Sequence, residues 1–180
     1  MFRRYSESDY DELLRLRCLL YADYSEEDMR AELDAFLHHP RSNAYRNYDS
    51  WTSFVYQRET GQLGGFIDVG LVCADDYRQR LTHFSGSAYY AQIDELLQRG
   101  RPIPLVESWY VDADARGRRI GTGLMQRAEQ WVAERGYPFI LSDTDDFREL
   151  SKRAHASLGF VNYHVDADGC HYYYKRVDGC

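Results

Sequence analysis

A loop rich in arginine and glycine is the part of this sequence whose residue types most directly suggest chemistry. It lies within residues 108–125, SWYVDADARGRRIGTGLM, between a hydrophobic run and an amphipathic segment. Glycines let a backbone approach a bulky anion, a helix N-terminus favours negative charge, and guanidinium groups suit phosphate oxygens. The pattern predicts a phosphate-binding turn between a strand and a helix; a structural turn with solvated arginines is the alternative. The residues concerned are Arg116, Arg118, Arg119, Gly117, Gly121 and Gly123.

Two better-known phosphate loops do not fit this stretch. A Walker loop requires G-x-x-x-x-G-K-[ST], and the lysine is absent. A dinucleotide fold places G-x-G-x-x-G after the first strand, with an acidic residue about 20 residues later. Here the loop lies two-thirds along the chain and its glycines are spaced differently.

The elements that must position this loop follow from the hydrophobic pattern around it. A strand, LVESWYV, precedes the loop, and a helix that follows it ends near Gly136. Next come a strand, YPFILSD, a helix, FRELSKRAHASLGF, stopped by Gly159, and a hairpin that turns at Asp168-Gly169.

The first half of the chain predicts two helices and then a hairpin. The stretch SESDYDELLRLRCLLYADY has helical spacing, and a capping box at Ser25 begins a second helix that must end before Pro40. The segment RSNAYRNYDS is polar and turn-rich, and SFVYQ and LGGFIDVGLV flank a hairpin turn. Residues 75–101 are the least predictable, although their second half indicates a helix that stops at Gly100. The whole predicts one α+β domain, residues 1–180, with helices packed on a mixed sheet.

Composition narrows the class of partner. The chain has 180 residues, 44% hydrophobic and 28% charged, and a net charge of −7. That balance argues against nucleic acid, which needs clustered Lys and Arg, and is compatible with a cationic partner. No apolar run approaches the roughly 20 residues that span a bilayer, and no secretory signal is evident, so we expect a cytoplasmic protein without a membrane partner. The cysteines lie far apart with no zinc-ligand spacing, which predicts free thiols and no metal; they are Cys18, Cys73, Cys170 and Cys180.

Two stretches resemble motifs of the GNAT acyltransferase superfamily, which binds acetyl-CoA. YVDADARGRRIGTGLMQRAEQWVAERG resembles its motif A, whose loop is Arg/Gln-x-x-Gly-x-Gly/Ala; Arg116 and Gly121 match the ends of that pattern and Arg119 takes the place of the middle glycine. SDTDDFRELSKRAHASLGF resembles motif B, with His155 where many members carry a tyrosine. Ser-Asp at the strand end with this helix resembles one branch, the aminoglycoside 6'-N-acetyltransferases. The resemblance covers roughly residues 104–177 and implies a mostly antiparallel, splayed central sheet flanked by helices.

The resemblance implies a site for acetyl-CoA. Backbone N–H groups of the strand end would hold the acetyl and pantetheine portion, and the loop with the first helical turn would hold the diphosphate. The residues concerned are Trp109, Tyr110, Val111, Arg116, Gly117, Arg118, Arg119, Ile120, Gly121 and Thr122.

Acetyl transfer also needs a group that removes a proton from the acceptor amine. Glu107 interrupts an apolar strand just before the loop and is our candidate, with a surface strand residue as the alternative. His155 is a candidate acid for the leaving thiolate, although it also fits as a packed helix residue bonded to a backbone carbonyl.

Further acidic and aromatic residues suit a cationic acceptor. Asp143 ends a strand and is interpreted as a ligand to a substrate ammonium, or else as a helix cap. Asp68 interrupts an apolar strand, so it either faces solvent or lines the acceptor cleft. Tyr21 and Tyr24 follow the first helix, where they either stack on a sugar ring or pack in the core.

The resulting hypothesis is an acetyl-CoA-dependent N-acetyltransferase that acts on an aminoglycoside, at the 6'-amine. Three alternatives stay open at this stage: a GNAT enzyme for a polyamine or protein amine, a non-catalytic coenzyme A-binding module, and an acidic interaction module. The resemblance also implies a homodimer.

Overall fold

The computed structural model of the chain describes residues 1–38, 47–81 and 90–177. Two helices follow a short first strand, and two long strands come next. In chain order these elements are β1 (Phe2–Arg4), α1 (Tyr10–Leu20), α2 (Glu26–His38), β2 (Tyr48–Gln57) and β3 (Leu63–Val72).

The second part alternates helices with strands and ends in a hairpin. Its elements are α3 (Ala74–Leu81), α4 (Tyr90–Gln98), β4 (Ile103–Val111), α5 (Ile120–Ala133), β5 (Phe139–Asp145), α6 (Glu149–Ser157), β6 (Val161–Val165) and β7 (Cys170–Arg176). Every helix and hairpin predicted within the described residues is confirmed. Ser25 caps the second helix as predicted, since its Oγ accepts a hydrogen bond from the Asp28 N–H at 3.1 Å, although the Asp28 carboxylate accepts from the Ser25 hydroxyl rather than from its backbone N–H.

The described strands form one mixed sheet in the order β1-β2-β3-β4-β5-β7-β6. Every neighbouring pair is antiparallel except β4 and β5, which are parallel. The expected α+β class with a mostly antiparallel sheet is confirmed.

The parallel pair is also where the sheet opens. Strands β4 and β5 are in register only at Leu105–Leu141 and Val106–Ser142, although β4 continues to Val111 and β5 to Asp145. Beyond that point the backbones of β4 and β5 are no longer in register with each other. The expected splay is therefore present, between the strand that precedes the arginine–glycine loop and the next one.

Helices cover both faces of the sheet. On one face, α1 and α2 pack on β2 and β3 through a cluster that includes Leu13, Leu33 and Phe66. On the other face, α5 packs through Leu124, Ala128, Trp131 and Val132, the stripe that its periodicity predicts. Each fully buried aliphatic side chain of this kind contributes about 1.5–3 kcal/mol of transfer free energy.

Three segments differ from the sequence-based expectation or lie beyond it. Residues 48–50 of the predicted turn-rich segment begin β2, and residues 41–46 and Pro40 lie outside the described residues. Helix α3 and the edge strand β1 were not predicted. Strand β1 is only three residues long, and its register with Phe54–Tyr56, rather than its own pattern, makes it a strand. None of the helices within the described ranges is long and apolar enough to cross a membrane.

Candidate active site

A cavity of about 600 Å³ lies where the sheet opens. Its walls are the end of β4, the first turn of α5, the face of α6 and the end of α1. Of the residues predicted to hold a coenzyme, all but the exposed Arg118 line it: Trp109, Tyr110, Val111, Arg116, Gly117, Arg119, Ile120, Gly121 and Thr122. The structure thus brings the predicted loop, strand end and helix start together around one space.

The loop turns through two left-handed residues before α5 begins. Gly117 has φ +76°, and Arg119 has φ +59° and ψ +19°. Arg119 is the one non-glycine residue with positive φ in the described part of the chain. A side chain in this conformation costs roughly 1 kcal/mol, which explains why the GNAT pattern has glycine here. Helical bonding starts at once, because the Gly123 N–H donates to the Arg119 carbonyl at 3.0 Å.

The other two glycines of the loop pack against aromatic side chains, a contact that the sequence did not predict. A Cβ on Gly121 would lie 3.1 Å from the Trp109 indole, and a Cβ on Gly123 would overlap the ring of Phe2. Phe2 therefore requires glycine at position 123, and the Trp109 indole leaves little room for a side chain at position 121. The interpretation that these glycines let the backbone approach an anion stays a prediction, and Gly121 lines the cavity whereas Gly123 does not.

Acidic residues next to the loop are neutralised by an arginine that the sequence did not single out. Arg58 Nη2 lies 3.0 Å from Asp112 Oδ2 and 2.6 Å from Asp114 Oδ1. Arg116 Nε donates to the Val111 carbonyl at 3.0 Å and so braces the loop from within. The carboxylates that would repel an anion at the start of α5 are thus held by Arg58.

Glu107 sits on a β-bulge at the opening of the sheet. Asp68 of β3 is in register with Ser108, and Val69 with Val106, so Glu107 is the additional residue between them. Its side chain is half-buried. A bulge re-aims a side chain from the regular pleat. Glu107 does not itself line the cavity; it lies two residues before Trp109, which does.

Asp143 occupies the matching place on the neighbouring strand. It follows Ser142, the last β5 residue in register with β4, as Glu107 follows Val106. It is half-buried and lies opposite Tyr172 of β7. Burial raises the pKa of the Tyr163 hydroxyl to about 12 and the negative charge of Asp143 adds to it. The structure therefore brings two predicted carboxylates to one edge of the opening, among tyrosines.

For His155 the structure favours the second of the two interpretations, a packed helix residue. The ring is buried and stacks on Tyr173 with centroids 4.3 Å apart. Its Nδ1 lies 2.8 Å from the Ser151 carbonyl, to which it donates, and its Nε2 lies 2.8 Å from Ser142 Oγ. Burial lowers the pKa of His155 to about 4. It is not among the cavity-lining residues, and the imidazole is neutral at pH 7 with both nitrogens engaged, so a role as acid to a leaving thiolate is not supported.

The remaining predicted acceptor residues are placed at different depths. Tyr24 is 58% exposed and packs edge-on against Tyr21. The Tyr21 hydroxyl lies 2.9 Å from Ser108 Oγ, and burial raises its pKa to about 12. Asp68 is fully buried and forms an ion pair with Arg17, so it neither faces solvent nor lines the cavity. Direct contact between Asp68 and a substrate is therefore not supported by this geometry.

Three residues that line the cavity were not singled out in the sequence: Phe147, Arg148 and Leu150. Arg148 Nε lies 3.0 Å from Asp145 Oδ2, and its Nη1 donates to the Leu20 carbonyl at 3.4 Å, so it links β5 to the end of α1. Phe147 is 77% exposed and Leu150 is 65% exposed, and both line the cavity. An apolar residue amid the polar segment after β5 was the available signal. Within residues 1–38, 47–81 and 90–177, no group of His, Cys, Asp or Glu could hold a metal ion.

Comparison with known proteins identifies the class of site. Residues 13–160 match the acetyltransferase (GNAT) family. Aminoglycoside N(6')-acetyltransferase type 1 of Serratia marcescens is 27% identical over 156 residues, which are 85% of this chain and 88% of that protein.

Solved structures share the fold at low identity. AAC(6')-Iy in complex with the bisubstrate analogue CoA-S-monomethyl-acetylneamine has a TM-score of 0.67 at 19% identity and covers 92% of this chain and 93% of its own. Arylalkylamine N-acetyltransferase 2 from Aedes aegypti has a TM-score of 0.63 at 14% identity and covers 99% of both chains. At 19% and 14% identity these likenesses show the fold alone, and the two proteins are named for different amines. The family match extends over most of the chain, and the protein belongs to the acetyltransferase (GNAT) family, as an acyltransferase that transfers an acetyl group to an amine.

Proposed function

We propose that this enzyme transfers the acetyl group of acetyl-CoA to the 6'-amine of an aminoglycoside. The observation that carries the proposal is the opening between β4 and β5. The cavity at the start of α5 includes the end of β4, and Glu107 and Asp143 each follow the last residue of their strand that is in register with the other strand. The relative from Serratia marcescens, named for this reaction, supports the choice of acceptor.

The cavity fits the coenzyme on physical grounds. One wall is the first turn of α5, where unpaired N–H groups and the helix dipole favour a diphosphate, and Arg119 adds a positive charge. The opposite wall exposes Leu19, Phe147 and Leu150, which the apolar arm of a ligand would cover. When bound, acetyl-CoA supplies an activated acetyl thioester.

The end of β4 would orient the acetyl group. Beyond Val106 the backbone of β4 has no registered partner on β5. N–H groups there can donate to the acetyl carbonyl oxygen and stabilise the negative charge that develops on it. Holding both reactants in one opening also raises their effective concentration, which lowers the entropic part of the barrier.

The carboxylates would prepare the acceptor. An aliphatic amine is mostly protonated at neutral pH, so a base must take a proton before nitrogen attacks the carbonyl. We assign that role to Glu107, directly or through one water, and we assign Asp143 to a neighbouring ammonium of the substrate. Tyr21 and Tyr24 would pack against a sugar ring. Several carboxylates around one opening favour a polycation over a monoamine.

A thiol-release assay tests the acceptor. Kanamycin-type aminoglycosides, spermidine, an arylalkylamine and a lysine peptide are compared at equal acetyl-CoA concentration, with an aminoglycoside that carries a 6'-hydroxyl as the matched control. We expect kcat/KM for the 6'-amino compound to exceed that of every other acceptor by at least about tenfold, and NMR of the product to show a 6'-acetamide. No turnover on any aminoglycoside defeats the substrate assignment, and faster turnover of spermidine or the peptide selects the alternative.

We also infer that residues 1–180 act as one catalytic domain, as a cytoplasmic homodimer. The continuous sheet across the described residues supports the single domain. Light scattering after size-exclusion chromatography measures the oligomeric state, and a monomeric mass for active enzyme contradicts the dimer. Cell fractionation of the natural host, with the activity recovered in the membrane or exported fraction, contradicts the location.

A further inference from the structure

A row of buried polar side chains crosses three neighbouring strands beside Glu107. Ser53 of β2 is in register with Asp68 of β3, and Asp68 is in register with Ser108 of β4. Directly opposite residues of antiparallel strands point to the same face. All three are buried. Burying polar groups costs free energy unless they are paired, so hydrophobic packing does not explain this polar row.

Arg17 places a positive charge against the polar row. Its guanidinium is buried, forms an ion pair with Asp68, and donates to Glu32 Oε1 at 3.1 Å. It also lies 5.2 Å from the centroid of the Phe36 ring. One side chain of α1 thus ties α1 to α2 and to β3.

The other end of the polar row reaches the bulge. Ser108 Oγ lies 2.9 Å from the Tyr21 hydroxyl, and Tyr21 is the residue that follows α1. Helix α1 and its end therefore contact the polar row at two points, through Arg17 and through Tyr21. Ser108 is next to Glu107 in the chain, so the row fixes the backbone on one side of the bulge.

Glu107 lies close enough to act on these groups electrostatically. Burial raises the pKa of Asp68 to about 6; the charge of Arg17 opposes that rise, and the charges of Glu32 and Glu107 add to it. Burial is the main cause of the raised pKa of Tyr21, and the negative charge of Glu107 raises it further. Because these carboxylates repel one another, Arg17 is the group that makes their close placement tolerable.

We propose that Asp68 and Arg17 are positioning residues for the reaction, which fix the bulge in β4 and thereby aim Glu107 at the acceptor nitrogen. The register supports this, since Asp68 is paired to Ser108 on one side of Glu107 and its neighbour Val69 to Val106 on the other. The inference rests on the proposed role of Glu107 as the base. An ion pair with a purely structural role would stabilise the fold and leave kcat of the folded enzyme unchanged.

The variant Asp68→Asn, compared with Asp9→Asn, separates positioning from structure. Asp9 is also a buried carboxylate paired with an arginine, Arg3, at 2.6 and 2.7 Å, but on the N-terminal segment. For folded Asp68→Asn we expect kcat to fall about 10- to 100-fold with KM for acetyl-CoA unchanged, because a base displaced by about 1 Å loses that much. Asp9→Asn is expected to lower the urea midpoint and leave kcat unchanged.

A double-mutant cycle with Glu107→Gln then tells whether Asp68 acts through Glu107. In the Glu107→Gln background we expect Asp68→Asn to change kcat less than about twofold. An equal loss in both backgrounds, or an unchanged kcat in Asp68→Asn alone, overturns the positioning role. Full activity of Glu107→Gln by itself instead overturns the proposed base, which keeps the two failures distinguishable.

Ser108→Ala covers the case in which Asp68→Asn does not fold. It removes the hydrogen bond with Tyr21 and leaves the buried ion pair intact. We expect kcat to fall about three- to tenfold in the wild-type background and to be unchanged in the Glu107→Gln background. An unchanged kcat in the wild-type background overturns the proposal.

Discussion

The opening between β4 and β5 has a coenzyme side and an acceptor side, and different kinds of chemical group form the two. On the coenzyme side, the cavity is formed by the first turn of α5, the end of β4 and exposed side chains such as Arg119 and Phe147. On the acceptor side, Glu107 stands on a bulge beside a buried cluster that includes Asp68 and Arg17. Backbone N–H groups at a helix start hold an anion whatever side chains surround them, whereas a base must be aimed. Single substitutions should therefore cost little on the coenzyme side and much on the acceptor side.

The largest effect is expected from breaking the buried ion pair on the acceptor side. Arg17→Met leaves the buried carboxylate of Asp68 without its partner, which costs about 3–5 kcal/mol of the free energy of unfolding. Urea denaturation at pH 7 measures it. The matched control is Arg30→Met, which removes an exposed ion pair with Glu26 and should leave the urea midpoint nearly unchanged. Equal losses in the two variants would show that burial of the cluster is not what matters.

The next largest effect is expected on the reaction rate, with no change in the stability of the fold. We expect Glu107→Gln to lower kcat about 100-fold or more, which corresponds to about 3 kcal/mol, while the melting temperature and the affinity for acetyl-CoA stay the same. Glu134→Gln, an exposed position on the turn after α5, is the control and should keep full activity. A wild-type rate in Glu107→Gln at pH 7 would remove the base from the mechanism.

The buried groups His155 and Asp68 should change the stability in opposite directions as the pH falls. The pKa of His155 is lowered from 6.5 to about 4, so its contribution to stability is complete above pH 6.5 and is lost as the pH falls toward 4. The pKa of Asp68 is raised from 3.8 to about 6, so its contribution is complete below pH 3.8 and is lost as the pH rises through 6.

Urea denaturation at pH 7 and pH 5 therefore separates the two groups. The stability advantage of wild type over His155→Gln should shrink by about 2 kcal/mol between pH 7 and pH 5. The difference between wild type and Asp68→Asn should move in the opposite direction. A pH-independent difference for His155→Gln would mean that the imidazole is not buried in its neutral form.

The smallest effect is expected on the coenzyme side. Arg119→Gly relieves a left-handed side chain and should raise the free energy of unfolding by up to about 1 kcal/mol. The same change removes a charge at the cavity, so the Kd for acetyl-CoA should rise severalfold. Arg118→Gly is the control, because Arg118 is exposed, does not line the cavity and has no left-handed φ to relieve. Loss of stability in Arg119→Gly would show that the loop is not strained.

The difference between the coenzyme side and the acceptor side also explains which parts of the site could be predicted from the sequence. The coenzyme side leaves a local signature, glycines and arginines between a strand and a helix, and the described structure places all of them except Arg118 and Gly123 around one cavity. The acceptor side depends on strand register. Nothing near Arg17 in the sequence points to Asp68, which lies 51 residues further along the chain, and the bulge at Glu107 exists only when β3 and β4 pair. His155 follows the same rule, since its partner Ser142 comes from a neighbouring strand.

Elements with weak patterns were missed for a related reason. Strand β1 is a strand because it pairs with β2, and a three-residue segment carries no periodicity of its own. Helix α3 is mostly polar, so its sequence has no apolar stripe from which a helix could be predicted. The sequence also contains no sign that Gly121 and Gly123 pack against Trp109 and Phe2, because those contacts come from strands β4 and β1.

A crystal structure of the enzyme with coenzyme A and a 6'-amino aminoglycoside tests the central claim most directly. We predict that the diphosphate accepts hydrogen bonds from N–H groups of Ile120, Gly121 and Thr122, and that the 6'-nitrogen lies within hydrogen-bonding reach of Glu107 or of one water bound to it. A coenzyme bound away from the start of α5, or an acceptor amine remote from Glu107, would contradict the account.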